Sequence, residues 1–128
     1  MKLLLDTHVF IWADGEPEKL SPAAKAACEN AANELILSVA SVWEMQLKMT
    51  LGKLTLRGPL RRVIEDWLQK NMIQILPVSL EHVFNLERLA VHHKDPFDRL
   101  LIAQATSEGL TIVTHDRAFA AYNTSIIW

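Results

Sequence analysis

Five short runs, residues 2–5, 35–39, 73–76, 111–114 and 125–128, are rich in Leu, Ile and Val and read as buried strands. Between them the apolar positions recur at helical spacing. Ser21 before Pro22 marks a helix start, and Ala24, Ala27, Cys28 and Ala31 form its small-residue stripe. Val39, Val42, Trp43 and Leu47 define a second helix. A third carries Leu60, Val63, Ile64, Trp67 and Leu68 opposite Arg61, Arg62, Glu65, Asp66, Gln69 and Lys70. Further helices are expected over 80–91 and from Pro96 to a cap at Gly109, with a loop at 50–59 around Gly52, Gly58 and Pro59. Alternating strands and amphipathic helices predict an α/β fold: a central, mostly parallel five-stranded sheet covered by helices on both faces.

The chain has 128 residues, half of them hydrophobic, enough for a single domain spanning 1–128. A charged fraction of 22% with four glycines and five prolines argues against long disordered tracts. No apolar run approaches the roughly 18–20 residues of a membrane span. Asp6 and His8 interrupt the apolar start too early for a signal sequence, so this segment is expected to be mature structure. A lone cysteine, Cys28, excludes an internal disulfide and fits a reducing cytosol, hence an expected cytoplasmic location.

In an open parallel sheet, ligands bind beyond the carboxyl ends of the strands, which gives weight to acids there. Asp6 follows the first strand, Glu44 lies in the first turns after the second, and Asp116 follows the fourth. Asp98 instead begins the helix that leads into the fourth. Each has a mundane alternative: Asp6 and Asp116 as helix caps, Glu44 as an ion-pair partner of Lys48, and Asp98 as a first-turn acid favoured by the helix dipole behind an Asp95 cap. Gathered at one end of a sheet, however, the four would repel one another unless a cation lay among them. All-oxygen donors favour Mg²⁺ or Mn²⁺, and such a site suits phosphodiester hydrolysis by metal-activated water. Ser41 and Thr114, at strand ends, are candidates to orient metal-bound water or a phosphate, with helix capping as the alternative.

A net charge of −2 excludes a strongly basic nucleic-acid arm but not a local patch. Between Met45 and Ile64 there is no acid, while Lys48, Lys53, Arg57, Arg61 and Arg62 supply five cations. These and Arg99 are candidate RNA contacts, with a solvated helix face as the alternative. Setting aside the four site acids leaves 11 of the 15 acidic residues against 13 basic ones, so the slight acidity belongs to the site. The five histidines show no metal-ligand spacing, and a zinc site is not expected.

Leu-Leu-Leu-Asp6-Thr-His, Ser41-Val-Trp-Glu44, Leu51-Gly-Lys-Leu, Asp95-Pro-Phe-Asp98-Arg-Leu-Leu-Ile-Ala-Gln-Ala and Thr114-His-Asp116 occur in this order. Together they resemble the PIN-domain ribonuclease toxins of the VapC type. The resemblance implies a three-layer αβα fold and a Mg²⁺- or Mn²⁺-dependent endoribonuclease restrained by a cognate antitoxin and forming a homodimer. Asp6 and Asp98 match the family's principal metal ligands, Glu44 its site glutamate and Asp116 its fourth acid. The resemblance also suggests region 43–62 for the antitoxin. Phosphatase and receiver-domain readings fit poorly, because His8 stands where a second aspartate would be needed and no lysine follows the last strand. A non-catalytic module that binds RNA or a protein partner is the remaining alternative.

Overall fold

A computed structural model describes residues 1–128. The strands are β1 (Lys2–Leu5), β2 (Glu34–Ser38), β3 (Gln74–Leu76), β4 (Thr111–Val113) and β5 (Ile126–Ile127). The helices are α1 (Thr7–Gly15), α2 (Pro22–Glu29), α3 (Val39–Thr50), α4 (Leu60–Gln69), α5 (Leu80–Asn85) and α6 (Pro96–Glu108). All strand pairs are parallel, in the order β3-β2-β1-β4-β5.

Alternation along the strands builds two cores. Leu3, Leu5, Leu35, Leu37 and Val113 face one side, where they meet Val9, Phe10, Met45, Val63 and Trp67 from the helices. Leu4, Ile36 and Ile112 face the other, against Leu101, Ile102, Ala105 and Phe119. Leu3, Leu4 and Leu5 are all fully buried, and each side chain contributes about 1.5–3 kcal/mol of apolar burial. The sheet is therefore the middle of three layers, as expected.

Several boundaries differ from the sequence reading. Val39 begins α3 rather than ending β2, and its side chain is 42% exposed, because the Ser38 hydroxyl accepts the Ala40 N–H and turns the chain into a helix. Helix α2 stops at Glu29, leaving Ala31 in a turn where Asn30 Oδ1 accepts the Ala32 N–H. The helix expected over 80–91 ends at Asn85 and continues only as a 3₁₀ turn, Leu86–Arg88. Arg99 donates to the carbonyls of Leu86, Leu89, Ala90 and His93, which holds this segment in an irregular course. Helix α6 ends as expected, with Gly109 in the left-handed region at φ 66°. No helix is long and apolar enough to cross a membrane.

Candidate active site

Strand β1 lies between β2 and β4, so the chain's winding reverses at the β1–β4 edge and opens a crevice beyond their carboxyl ends. Register pairs Leu5 with Val113 and thus brings Asp6 beside Thr114. The Thr114 hydroxyl donates to Asp6 Oδ2 at 2.8 Å and accepts the Asp116 N–H at 3.0 Å. Asp6 occupies the N-cap position of α1 but makes no side-chain capping bond. It is 5% exposed, and its Oδ1 has no hydrogen-bond partner. Burial raises its pKa above the ordinary value, against the opposing effect of the Thr114 bond.

Glu44 comes from the second turn of α3. Its Oε2 accepts from Lys48 Nζ at 2.7 Å, the ion pair anticipated from sequence, yet the carboxylate is buried and Oε1 is unpartnered. Ser41, one turn earlier, accepts from the Thr7 hydroxyl at 2.9 Å and ties α3 to α1 just after Asp6. Three buried side-chain polar atoms lack partners, and two are these site carboxylate oxygens. The third, Gln104 Oε1, belongs to a side chain whose amide nitrogen reaches Pro77 and His82.

Asp95 caps α6 by accepting the Phe97 and Asp98 N–H groups, which places Asp98 in the first helical turn. Burial, then the charges of Asp6, Asp95 and Glu44, push the Asp98 carboxyl up to about 7. Asp116 caps the 3₁₀ turn Arg117–Tyr122 through Oδ1 and the Ala118 N–H. Partial burial opposes its ionisation, but that N–H and His93 hold it below the ordinary carboxylate value.

His93 joins these two acids. Its Nε2 lies 2.9 Å from Asp98 Oδ2 and 3.0 Å from Asp116 Oδ2. The Asp95 N–H donates to Nδ1, so the proton sits on Nε2, which hydrogen-bonds Asp116 Oδ2 and lies within ion-pair distance of Asp98 Oδ2. His93, Asp98 and Asp116 offer ligand atoms within 4.8 Å of one another. Sequence reasoning missed His93 because it compared histidines only with each other. The available signal was His93 two residues before the Asp95 cap, with Asp98 on the turn that follows.

The structure thus brings together Asp6, Asp98 and Asp116 along a cleft of about 590 Å³, completed by His8, Trp12, His115 and Arg117. Glu44 lies close enough for its charge to raise the pKa values of both Asp6 and Asp98.

The basic candidates separate. None of Lys48, Lys53, Arg57, Arg61, Arg62 and Arg99 lines this cleft. Arg57 pairs with Asp14 and Asp66 in a different depression, and Arg61 pairs with Glu65. Arg99 is spent on backbone carbonyls, and its Nη1 also donates to the Tyr122 hydroxyl. Its measurable role is therefore to shape the loop that carries His93. Arg99→Lys is expected to destabilise the fold by about 1–3 kcal/mol, read as a fall in Tm, since lysine cannot fork across several carbonyls. An unchanged Tm would remove this role. Arg117, overlooked from sequence, is an exposed cation at the cleft itself.

A family model described as PIN domain matches residues 3–124. The chain belongs to the PIN domain family. This PIN domain is 31% identical over 123 residues to Ribonuclease VapC22 of Mycobacterium tuberculosis, covering 94% of this chain and 91% of that protein. Solved structures share its fold. One is DNA-bound VapBC from Salmonella typhimurium, with a TM-score of 0.73 at 17% identity, covering 98% of this PIN domain and 96% of that chain. Another is VapBC2 from Rickettsia felis bound to a promoter DNA fragment, with a TM-score of 0.71 at 18% identity, covering 98% and 97%.

Proposed function

We propose that this PIN domain is a divalent-metal-dependent endoribonuclease and the toxin of a toxin–antitoxin pair, acting in the cytoplasm. The observation that carries the reading is the pair of buried, unpartnered carboxylate oxygens, Asp6 Oδ1 and Glu44 Oε1, beside the close Asp98 and Asp116. An unpaired buried carboxylate oxygen is costly, and a cation among these acids removes the cost. The donor set fits a hard ion, Mg²⁺ or Mn²⁺, held by Asp6, Glu44, Asp98 and Asp116. Such an ion supplies Lewis acidity toward a phosphoryl oxygen and acidifies bound water.

The chain's own groups prepare the site. Thr114 fixes Asp6 through Oδ2, and Lys48 fixes Glu44 through Oε2, so each acid keeps one oxygen free. Asp116, with its lowered pKa, remains an anion at neutral pH. His93 relieves the repulsion between Asp98 and Asp116 by hydrogen-bonding Asp116 through Nε2 while that nitrogen lies 2.9 Å from Asp98 Oδ2. Arg117 at the cleft mouth offers a phosphate contact. Cleavage is expected to leave 5′-phosphate and 3′-hydroxyl ends, because no step requires the 2′-hydroxyl as nucleophile.

Ribonuclease VapC22 is the relative that motivates the ribonuclease reading, and VapBC complexes motivate the antitoxin. Helix α3 and its C-cap residue Leu51 offer the antitoxin an apolar strip: Trp43 is 60% and Leu51 59% exposed, Leu47 lies between them, and Phe97 packs edge-on against Trp43. A homodimer belongs to the same reading, with exposed Leu80, Val83 and Phe84 of α5 available for self-association.

Purified, antitoxin-free protein incubated with several looped RNAs is expected to cleave in Mg²⁺ or Mn²⁺ and to stop when a chelator is added. Absence of metal-dependent cleavage on all of them would leave a PIN-fold binding module as the better description.

A further inference from the structure

The cleft has an aromatic side that the metal-dependent reading does not use. Trp12 of α1, His115 after β4 and Trp128 after β5 pack together, with ring centroids 5.8 Å apart for Trp12–His115, 6.0 Å for Trp12–Trp128 and 5.3 Å for His115–Trp128. Trp12 is only partly buried against the sheet core, His115 is exposed and Trp128 is 37% exposed. Trp12 and His115 share the cleft with Asp6, Asp98 and Asp116. His115, Asp116 and Arg117 also border an adjoining hollow of about 460 Å³ that reaches Ile126 and Trp128. Acids, exposed cation and rings therefore form one continuous surface. His115 stands directly between Thr114, which holds Asp6, and Asp116.

Three partly exposed rings, tilted or edge-on to one another at interplanar angles of 73°, 52° and 72°, beside a phosphate-handling site suit one ligand chemistry. A nucleobase offers a planar face to stack while its own phosphate lies toward the cation and the acids. We infer that Trp12, His115 and Trp128 form a stacking subsite for an unpaired nucleobase next to the phosphate bound in the acidic cleft, with Arg117 as the phosphate contact. This inference rests on the ribonuclease reading for its substrate and narrows it. The substrate class becomes RNA that can splay a base out of its helix, in a loop or single strand, because a base paired within a duplex keeps its faces stacked on its neighbours.

Binding is measured separately from cleavage by using the full chain carrying Asp98→Asn in Mg²⁺, where cleavage is expected to be more than about 100-fold slower, with fluorescence anisotropy of labelled RNA at fixed salt. The probes are a short oligoadenylate, the same strand with abasic residues, and a duplex of equal length. Oligoadenylate is expected to bind roughly tenfold more tightly than the abasic strand and the duplex. Trp128→Leu and Trp12→Leu should each erase most of that preference, whereas Trp12→Phe and Trp128→Phe, which keep a ring, should retain it. Thermal melts identify any leucine variant that fails to fold, and the phenylalanine variants then decide against the abasic strand.

Equal affinity for intact and abasic strands, equal affinity for duplex, or no measurable binding of oligoadenylate would overturn the subsite. So would leucine variants that bind RNA like the parent. Base-dependent binding without metal-dependent cleavage by the parent chain would refute the nuclease reading and leave the subsite standing. Cleavage without base-dependent binding would do the reverse.

Discussion

Asp98→Asn is expected to lower RNA cleavage by more than about 100-fold, because even residues that only support metal ligands are typically worth roughly 10–100-fold. The same change should stabilise the metal-free protein at alkaline pH. In the folded chain the Asp98 carboxyl titrates at about 7 rather than 3.8, first through burial and then through Asp6, Asp95 and Glu44. Folding therefore favours the neutral acid. That contribution is fully present below 3.8, where the unfolded chain is protonated too, and it is lost as pH rises through about 7. Because the group is partly solvated, the loss is about 1–2 kcal/mol, a few degrees in Tm.

Asparagine has no charge to lose and keeps an oxygen facing His93 Nε2. Its Tm should exceed the parent's near pH 8 in chelator by about that amount and match it near pH 4. Added Mn²⁺ should raise the parent's Tm more than the variant's, since a bound ion stabilises only the state that holds it. A variant that cleaves like the parent removes Asp98 from the site. A variant less stable than the parent near pH 8 removes this electrostatic account.

Thr114→Val is the second large effect. Valine nearly matches threonine in shape but has no hydroxyl, so Asp6 Oδ2 loses its donor and the Asp116 N–H its acceptor. The loss of stability is expected to be about 1–3 kcal/mol. The Thr114 bond is the strongest influence lowering the Asp6 pKa against burial. Without it that pKa rises further, and the acidic limb of the pH–rate profile moves to higher pH. Activity at neutral pH should fall about tenfold and recover partly under alkaline conditions. Thr114→Ser should restore both profile and stability. A valine variant with an unshifted profile would reduce Thr114 to a packing residue.

The architecture was legible because local chemistry agrees with it. Continuous apolar strands such as Leu3-Leu4-Leu5 are stable only when covered on both faces, and the Ser21, Asp95 and Gly109 caps lie where the sequence places them. The boundary errors at Val39 and Ala31 come from local side-chain bonds of Ser38 and Asn30, and the larger error comes from a distant partner. The helix after Ser79 shows helical periodicity as far as residue 91, yet Arg99 takes the carbonyls that would have continued it.

The acids follow the same division. Strand ends marked Asp6, Glu44 and Asp116, and mundane alternatives held in part: Glu44 does pair with Lys48 and Asp116 does cap a turn. Asp6 departs from its alternative, because it caps nothing and bonds to Thr114 instead. The basic rail does not stay together: Lys48 reaches the site acid Glu44, but charge density along the chain carries no information about which carboxylates lie across from the others. Arg57 lies opposite Asp14 and Asp66, 43 and 9 residues away, while the unassigned Arg117 stands at the cleft.

By itself, then, the sequence determined the layered α/β fold and which acids reach the strand ends, because hydrophobic period, caps and turn residues act over a few positions. The tertiary structure alone decided that Thr114 holds Asp6 across 108 residues, that His93 Nε2 stands between Asp98 and Asp116, and that Trp12 and His115 line the cleft with Trp128 packed beside them. Those relations depend on strand order and register, which are set by the packing of the whole sheet.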